Sequence, residues 1–164
     1  MRNINWRAFL FGVIVLLVVG TPTYVYLRAA TSGGISRRGD LVEVDIYAMS
    51  NFEFDQISGV TADVPKRYQQ LDGTRVLLCG EMWAPHSAAG RVDSFDLVYS
   101  IGKCCLGGPP KIQHFIKSKV QKNGAVEFYM GQVNVVGILH VNVERADGRV
   151  QSVYHLDVER VDPV

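Results

Sequence analysis

The sequence predicts a mainly β fold, a small OB-like antiparallel barrel with one short helix, preceded by an N-terminal transmembrane helix. Three observations carry this expectation. An uncharged apolar run fills residues 8–27, apolar residues recur with period two from Leu41 onward, and an AspGly pair sits between two long alternating runs.

Composition sets the outer limits. The 164 residues are 48% hydrophobic and 20% charged, enough apolar material for one folded core and a further segment. The 17 basic and 16 acidic residues, net charge +1, are dispersed, so the concentrated positive stripe that a phosphate backbone demands is missing and nucleic acid is excluded as the expected partner. Three cysteines are too few for a disulfide scaffold, and an odd number outside the cytoplasm leaves a thiol unpaired or committed to a ligand.

The sequence divides into a short tail over 1–7, the apolar span over 8–27, a flexible linker over 28–40 and a β domain over 41–164. Ala8 to Leu27 holds about 20 uncharged residues, the length an α-helix needs to cross the hydrocarbon core. Trp6 precedes it, Tyr24 and Tyr26 lie near its far end, and Arg7 and Arg28 close it, placing aromatic and cationic anchors at both interfaces. The alternative is a cleaved signal peptide with its apolar core at Phe9 to Val19, interrupted by Gly20, Thr21 and Pro22. Apolar character resumes through Leu27 and favours the uncleaved anchor. No lipoprotein-type cysteine follows the span. Positive charges nearly balance across it, and the unstructured tail places the N-terminus inside and the β domain outside the cytoplasmic face of the cell membrane. Gly and Ser in residues 31–39 read as tether.

Within the domain the expected strands are Leu41 to Ile46, Arg75 to Trp83, Ser94 to Ser100, Phe115 to Val120, Ala125 to Met130, Val133 to Val143 and Val150 to Val158. The helical piece is Val64 to Leu71, with Val64, Tyr68 and Leu71 on one face, Asp63 as cap, Pro65 in the first turn and Gly73 as stop. Asp147 and Gly148 suit a two-residue type I′ turn, which needs positive φ at both central positions. That turn fixes a register: Gly137 meets Val158, Leu139 meets Leu156 and Val141 meets Tyr154 on one apolar face, and His140 faces His155 on the other. Closing these strands into a barrel removes sticky edges; an open sandwich is the alternative.

Few residues break the β pattern with chemistry. Cys104 and Cys105 are adjacent, so an extended backbone points them to opposite faces. Thiolates bind zinc or copper(I), and Cys79, His86 and His114 are further candidate ligands, although no standard zinc spacing is present. Cys79 pairing with one of the two is the structural alternative. Directly opposed, His140 and His155 form a second candidate pair for a metal or for pH sensing, against the reading of two solvated side chains. GGPPK at 107–111 reads as a rigid turn because it lacks the spacing of a phosphate loop. Lys117, Lys119 and Lys122 make a modest basic stripe.

Val76 to Pro85 (VLLCGEMWAP), Phe95 to Tyr99 (FDLVY), Cys104 to Pro110 (CCLGGPP) and Val135 to Val143 (VVGILHVNV) together resemble the DUF3299 family, bacterial envelope domains of unknown function. The resemblance covers about two thirds of the domain. It implies an OB-like fold, an envelope setting, an association with transport systems, and Gly80, Gly137 and Pro109 as positions of interest beside the cysteine pair. This chain departs from the family pattern in having an anchor where a lipobox is expected. The leading expectation is a membrane-anchored, noncatalytic β-barrel binding or accessory module without a cofactor, with membrane lipid and an envelope or transporter protein as partners. A Cys/His zinc or copper protein and a thiol-dependent enzyme are the alternatives.

Overall fold

The computed structural model describes residues 6–24, 33–85, 90–102, 109–121 and 124–164. The chain divides into two compact units, Met1–Gly33 and Gly34–Val164.

The first unit is helical. Helix α1 covers Trp6–Val15, a π-helical stretch covers Leu16–Gly20, and residues 21–24 return to α geometry. The π stretch interrupts the regular α ladder, and among the described residues no helix is long and apolar enough to cross a membrane. Residues 25–27 of the expected span lie outside the described residues. Thr21 and Thr23 return their hydroxyl protons to the carbonyls of Leu17 and Val19, one turn back, so neither hydroxyl needs a partner beyond the helix.

The second unit is mainly β. Its strands are β1 (Ile35–Arg38), β2 (Leu41–Val44), β3 (Thr74–Trp83), β4 (Arg91–Val92), β5 (Ser94–Val98), β6 (Ile116–Val120), β7 (Val126–Glu127), β8 (Gln132–Ala146) and β9 (Arg149–Pro163). Strand β3 pairs with β5 and also with β8, so the sequence of pairings β3, β5, β6, β9, β8 returns to β3 and forms a closed ring of five strands. Most pairings are antiparallel as expected, but β6 runs parallel to β9, as β2 does to β3. The parallel β6–β9 pair follows from the long connection through β7 and β8, since no tight turn joins the two.

The AspGly turn forms as its chemistry requires, with φ of 51° at Asp147 and 75° at Gly148. The pairs Gly137–Val158, Leu139–Leu156, Val141–Tyr154 and His140–His155 are all present. A bulge near Glu144 and another after Val136 shift the register locally without moving those pairs to the other face.

Alternation sends one face of the ring inward. Val76, Leu78 and Met82 from β3, Leu97 from β5, Ile116 from β6, Leu139 from β8 and Tyr154, Leu156 and Val158 from β9 are buried there. Burying each large apolar side chain contributes about 2 kcal/mol. Gly80 and Gly137 also face inward by the same alternation, and a side chain at either would collide with backbone: a Cβ would lie 2.4 Å from the Val98 carbonyl oxygen and 2.4 Å from that of Asp157, respectively. Both positions therefore hold strands close together.

Four local expectations are corrected. The linker expected over 28–40 contains β1, which forms a hairpin with β2 through Gly39 (φ 69°) and Asp40. The charges of Arg37 and Arg38 had masked its extended character. A second helix, α2 (Ile46–Ser50), replaces the end of the first predicted strand; Asp45 caps it by accepting from the backbone N–H groups of Tyr47 and Ala48. The predicted helix at 64–71 shrinks to a 3₁₀ turn (Thr61–Asp63) and α3 (Lys66–Gln69), with Asp63 accepting from Val60 N–H instead of capping α3. Of the expected strand Ala125 to Met130, only Val126–Glu127 pairs, as β7 with β4.

A buried amide and a partly buried one tie residues 52–56 to residues 112–113. Gln113 is fully buried, donates to the Phe52 carbonyl at 3.0 Å and accepts from Gln56 Nε2 at 3.0 Å. Gln56 in turn accepts from Ile112 N–H at 2.8 Å. The buried Gln113 amide thus meets a complementary group at both its oxygen and its nitrogen.

Candidate functional site

The outward face of the ring carries what the inward face excludes. Following the observed pairings, Trp83 on β3 lies beside Asp96 on β5, Asp96 beside Lys117 on β6, Lys117 beside His155 on β9, and His155 beside His140 on β8. One side chain from each of the five ring strands therefore stands in a single outward row. All five line an open groove of about 1020 Å³.

Within the row, charged groups come in complementary couples. Lys117 Nζ is 2.9 Å from Asp96 Oδ1 and donates to Oδ2 at 3.0 Å. A half-exposed pair of this kind contributes only about 0.2–1 kcal/mol to stability, so its effect is to fix the positions of both heads. His140 stands between two carboxylates, with Nε2 3.4 Å from Asp157 Oδ2 and Nδ1 3.8 Å from Asp72 Oδ1. His155 Nε2 lies 3.0 Å from Ser152 Oγ and 3.6 Å from Glu144 Oε2. One register step away, Lys119 neighbours Ser94 and Asp157 and has no ion-pair partner within 4.0 Å among the described residues.

The histidine pair was legible from the turn; the rest of the row was not. Trp83, Asp96 and Lys117 join it through the β3–β5, β5–β6 and β6–β9 pairings, none of which a short turn sequence specifies. Lys117 belonged to the predicted basic stripe, but Asp96 neutralises it and Lys122 lies outside the described residues.

The cysteine-centred candidates fare differently. Cys104, Cys105 and His86 lie outside the described residues, and Pro109 is exposed in the segment after them. Among the described residues no group of three His, Cys, Asp or Glu side chains is arranged to hold a metal ion. Cys79 is a free, exposed thiol on β3. Partial burial, reinforced by the carboxylates of Glu43 and Asp45, pushes its pKa up. His114 is half-buried at the end of a 3₁₀ turn, its ring edge-to-face with Tyr99 at 6.3 Å. Burial and the nearby Lys111 ammonium lower its pKa, favouring the neutral ring.

A raised pKa means less thiolate at a given pH, which opposes nucleophilic use of Cys79. In the full chain carrying Cys104→Ser and Cys105→Ser, the iodoacetamide alkylation rate of Cys79 should reach half its plateau above the ordinary thiol value of about 8.5, and denaturant should bring the midpoint back down. A midpoint below the denatured one would show an activated thiol instead.

Comparison with solved structures finds similarity to the crystal structure of a DUF3299 family protein from Pseudomonas aeruginosa, with 25% identity over 58% of this chain and a TM-score of 0.44. This chain covers 64% of that one. The same family carried the sequence resemblance. No family model and no curated protein matches the chain.

Proposed function

We propose that the chain is a membrane-anchored, OB-like β-barrel module of the bacterial cell envelope whose outer groove binds a ligand or partner as an accessory, without performing chemistry on it. The observation that carries the binding reading is the outward row from Trp83 to His140, one position on every ring strand, lining one groove. OB-like barrels have five strands, and they present ligands to an outer strand face and its flanking loops. The observed order β3, β5, β6, β9, β8, closed on β3, with its single parallel pair, supports that description.

The anchor is supported by residues 8–27 being uncharged and by the solvent-facing apolar side chains of the helical N-terminal unit, among them Phe11 (69% exposed), Leu16 (71%) and Val18 (67%). Soluble proteins rarely expose a continuous apolar surface of this kind. The envelope setting comes from the sequence resemblance, and tethering concentrates the groove near membrane-bound partners.

One experiment addresses anchor and groove together. A photo-crosslinking residue at Lys119, in the full chain expressed in bacterial cells, should sediment with membranes after alkaline extraction and give a discrete adduct on irradiation. The same residue at Arg38, on β1 outside the ring, should sediment alike and give none. Release of the chain by alkaline extraction sinks the anchor; absence of a Lys119 adduct sinks the groove.

A further inference from the structure

We propose that the groove is a glycan-binding site that takes an uncharged oligosaccharide laid along the outward row, with one sugar ring against Trp83. This rests on reading the groove as the binding face and names the ligand class.

Charge removes the first competitor. Asp72, Asp93, Asp96, Glu144 and Asp157 line the groove against Lys117 and Lys119, a net charge of −3 with neutral histidines. Lys117 is already paired with Asp96. A polyanion such as a nucleic acid or a sulfated polymer would meet repulsion along most of the groove.

Hydrogen-bonding pattern then selects among the remaining classes. A hydroxyl both donates and accepts, so a ring bearing several hydroxyls is best met by side chains that set an acceptor beside a donor. The groove offers such couples in succession: Asp96 with Lys117, Glu144 with His155, Asp157 with His140. Lys117 and Asp96, hydrogen-bonded at 3.0 Å, hold each other in place before a ligand arrives, which lowers the ordering cost of binding.

Shape agrees with an extended ligand. Strands spaced about 4.8 Å apart make the five-membered row roughly 19 Å long measured along the sheet, room for several sugar rings. Trp83 closes one end with an indole that is 38% exposed, a flat apolar surface for the C–H face of a ring, with Pro85 beside it. A cationic peptide is the competing ligand for an acidic groove. Against it, Asp96 is paired with Lys117, and Asp72, Asp157 and Glu144 lie 3.8, 3.4 and 3.6 Å from a histidine ring nitrogen, so four of the five groove carboxylates already have a nitrogen beside them.

The test uses the full chain in detergent micelles with Trp6→Phe, which leaves Trp83 as the sole indole of the two in the sequence. Maltohexaose, cellohexaose and the hexamer of N-acetylglucosamine are titrated against Trp83 emission, with hexalysine and a sulfated dextran in parallel. At least one neutral hexasaccharide should shift the emission saturably with Kd on the order of 1 mM or tighter. Its affinity should change less than about twofold between roughly 0.05 and 0.5 M salt, as an uncharged ligand requires. Lys117→Met and His155→Gln should each weaken binding about tenfold, the loss of one or two hydrogen bonds, while melting temperatures stay near the parent's. Trp83→Ala, followed by calorimetry, should abolish binding.

Three results would overturn the proposal: no saturable response to any neutral hexasaccharide at about 10 mM, binding that survives both Lys117→Met and His155→Gln, or preference for the sulfated polymer. Hexalysine binding with steep salt dependence, and no sugar binding, would overturn the glycan class while a Lys119 adduct still upheld the groove. Loss of that adduct would remove the groove itself.

Discussion

Gly80→Ala is expected to destabilise the β domain by about 3 kcal/mol, the upper part of the range for forcing volume into a packed interior. A Cβ at this position would sit 2.4 Å from the Val98 carbonyl oxygen and 2.9 Å from Ile46 Cδ1. Ile46 has rotamers to retreat into, but the carbonyl belongs to the end of β5, where β3 joins the ring. Relieving the collision therefore means parting β3 from β5 at Glu81–Val98, and the ring loses a closure. Chemical denaturation of the full chain in micelles, followed by far-ultraviolet circular dichroism, reads the effect as a lowered midpoint. Gly102→Ala is the control: among the described residues its nearest neighbour is the Ser100 hydroxyl at 4.0 Å, so its midpoint should move by no more than about 0.5 kcal/mol. Equal shifts for the two variants would show that Gly80 does not hold the strands together.

The second large effect is expected at Tyr154. Its ring is fully buried and its hydroxyl donates to the Met49 carbonyl at 3.1 Å, at the end of α2. Tyr68 makes the matching contact to Ala48 at 2.8 Å, so two phenols occupy consecutive terminal carbonyls of α2 that have no partner within the helix. Burial raises the Tyr154 pKa well above the ordinary tyrosine range, which keeps the hydroxyl a donor at any pH the fold tolerates. Tyr154→Ala should cost about 4 kcal/mol, a large aromatic side chain lost from the core. Tyr154→Phe should cost about 1 kcal/mol, the net contribution of one hydrogen bond. If the two variants unfold at the same midpoint, the ring contributes nothing beyond its hydroxyl and this account of the core is wrong.

These positions differ in how far the sequence disclosed them. The β8–β9 pairing was readable because two consecutive residues must both adopt positive φ at Asp147 and Gly148, and every cross-strand partner follows by counting outward. Gly80 and Gly137 were singled out only through the resemblance; that each abuts a carbonyl depends on strands distant in sequence. The row across the outer face needed the parallel pairing of β6 with β9, which no local pattern encodes, so Asp96 and Lys117 read as unrelated charges until the fold brought them within 3.0 Å. Helix α2 has only five residues, too few for periodicity to show, and its one sequence signal was Asp45. Strand β1 was hidden by its composition, Ile-Ser-Arg-Arg, which has no alternation of apolar and polar residues.

The parallel contact between β6 and β9 also bears on how the chain reaches its native state. Both flanks of β9 are occupied, by β6 on one side and β8 on the other, yet β9 follows every other ring strand in synthesis. Until residues near 158 have emerged, β6 and β8 each present bare peptide groups to whatever lies nearby. The nascent β unit thus passes through an open, adhesive stage that local hairpins cannot shorten, and its yield in a cell will depend on how quickly that late segment arrives or how well a chaperone shields the gap.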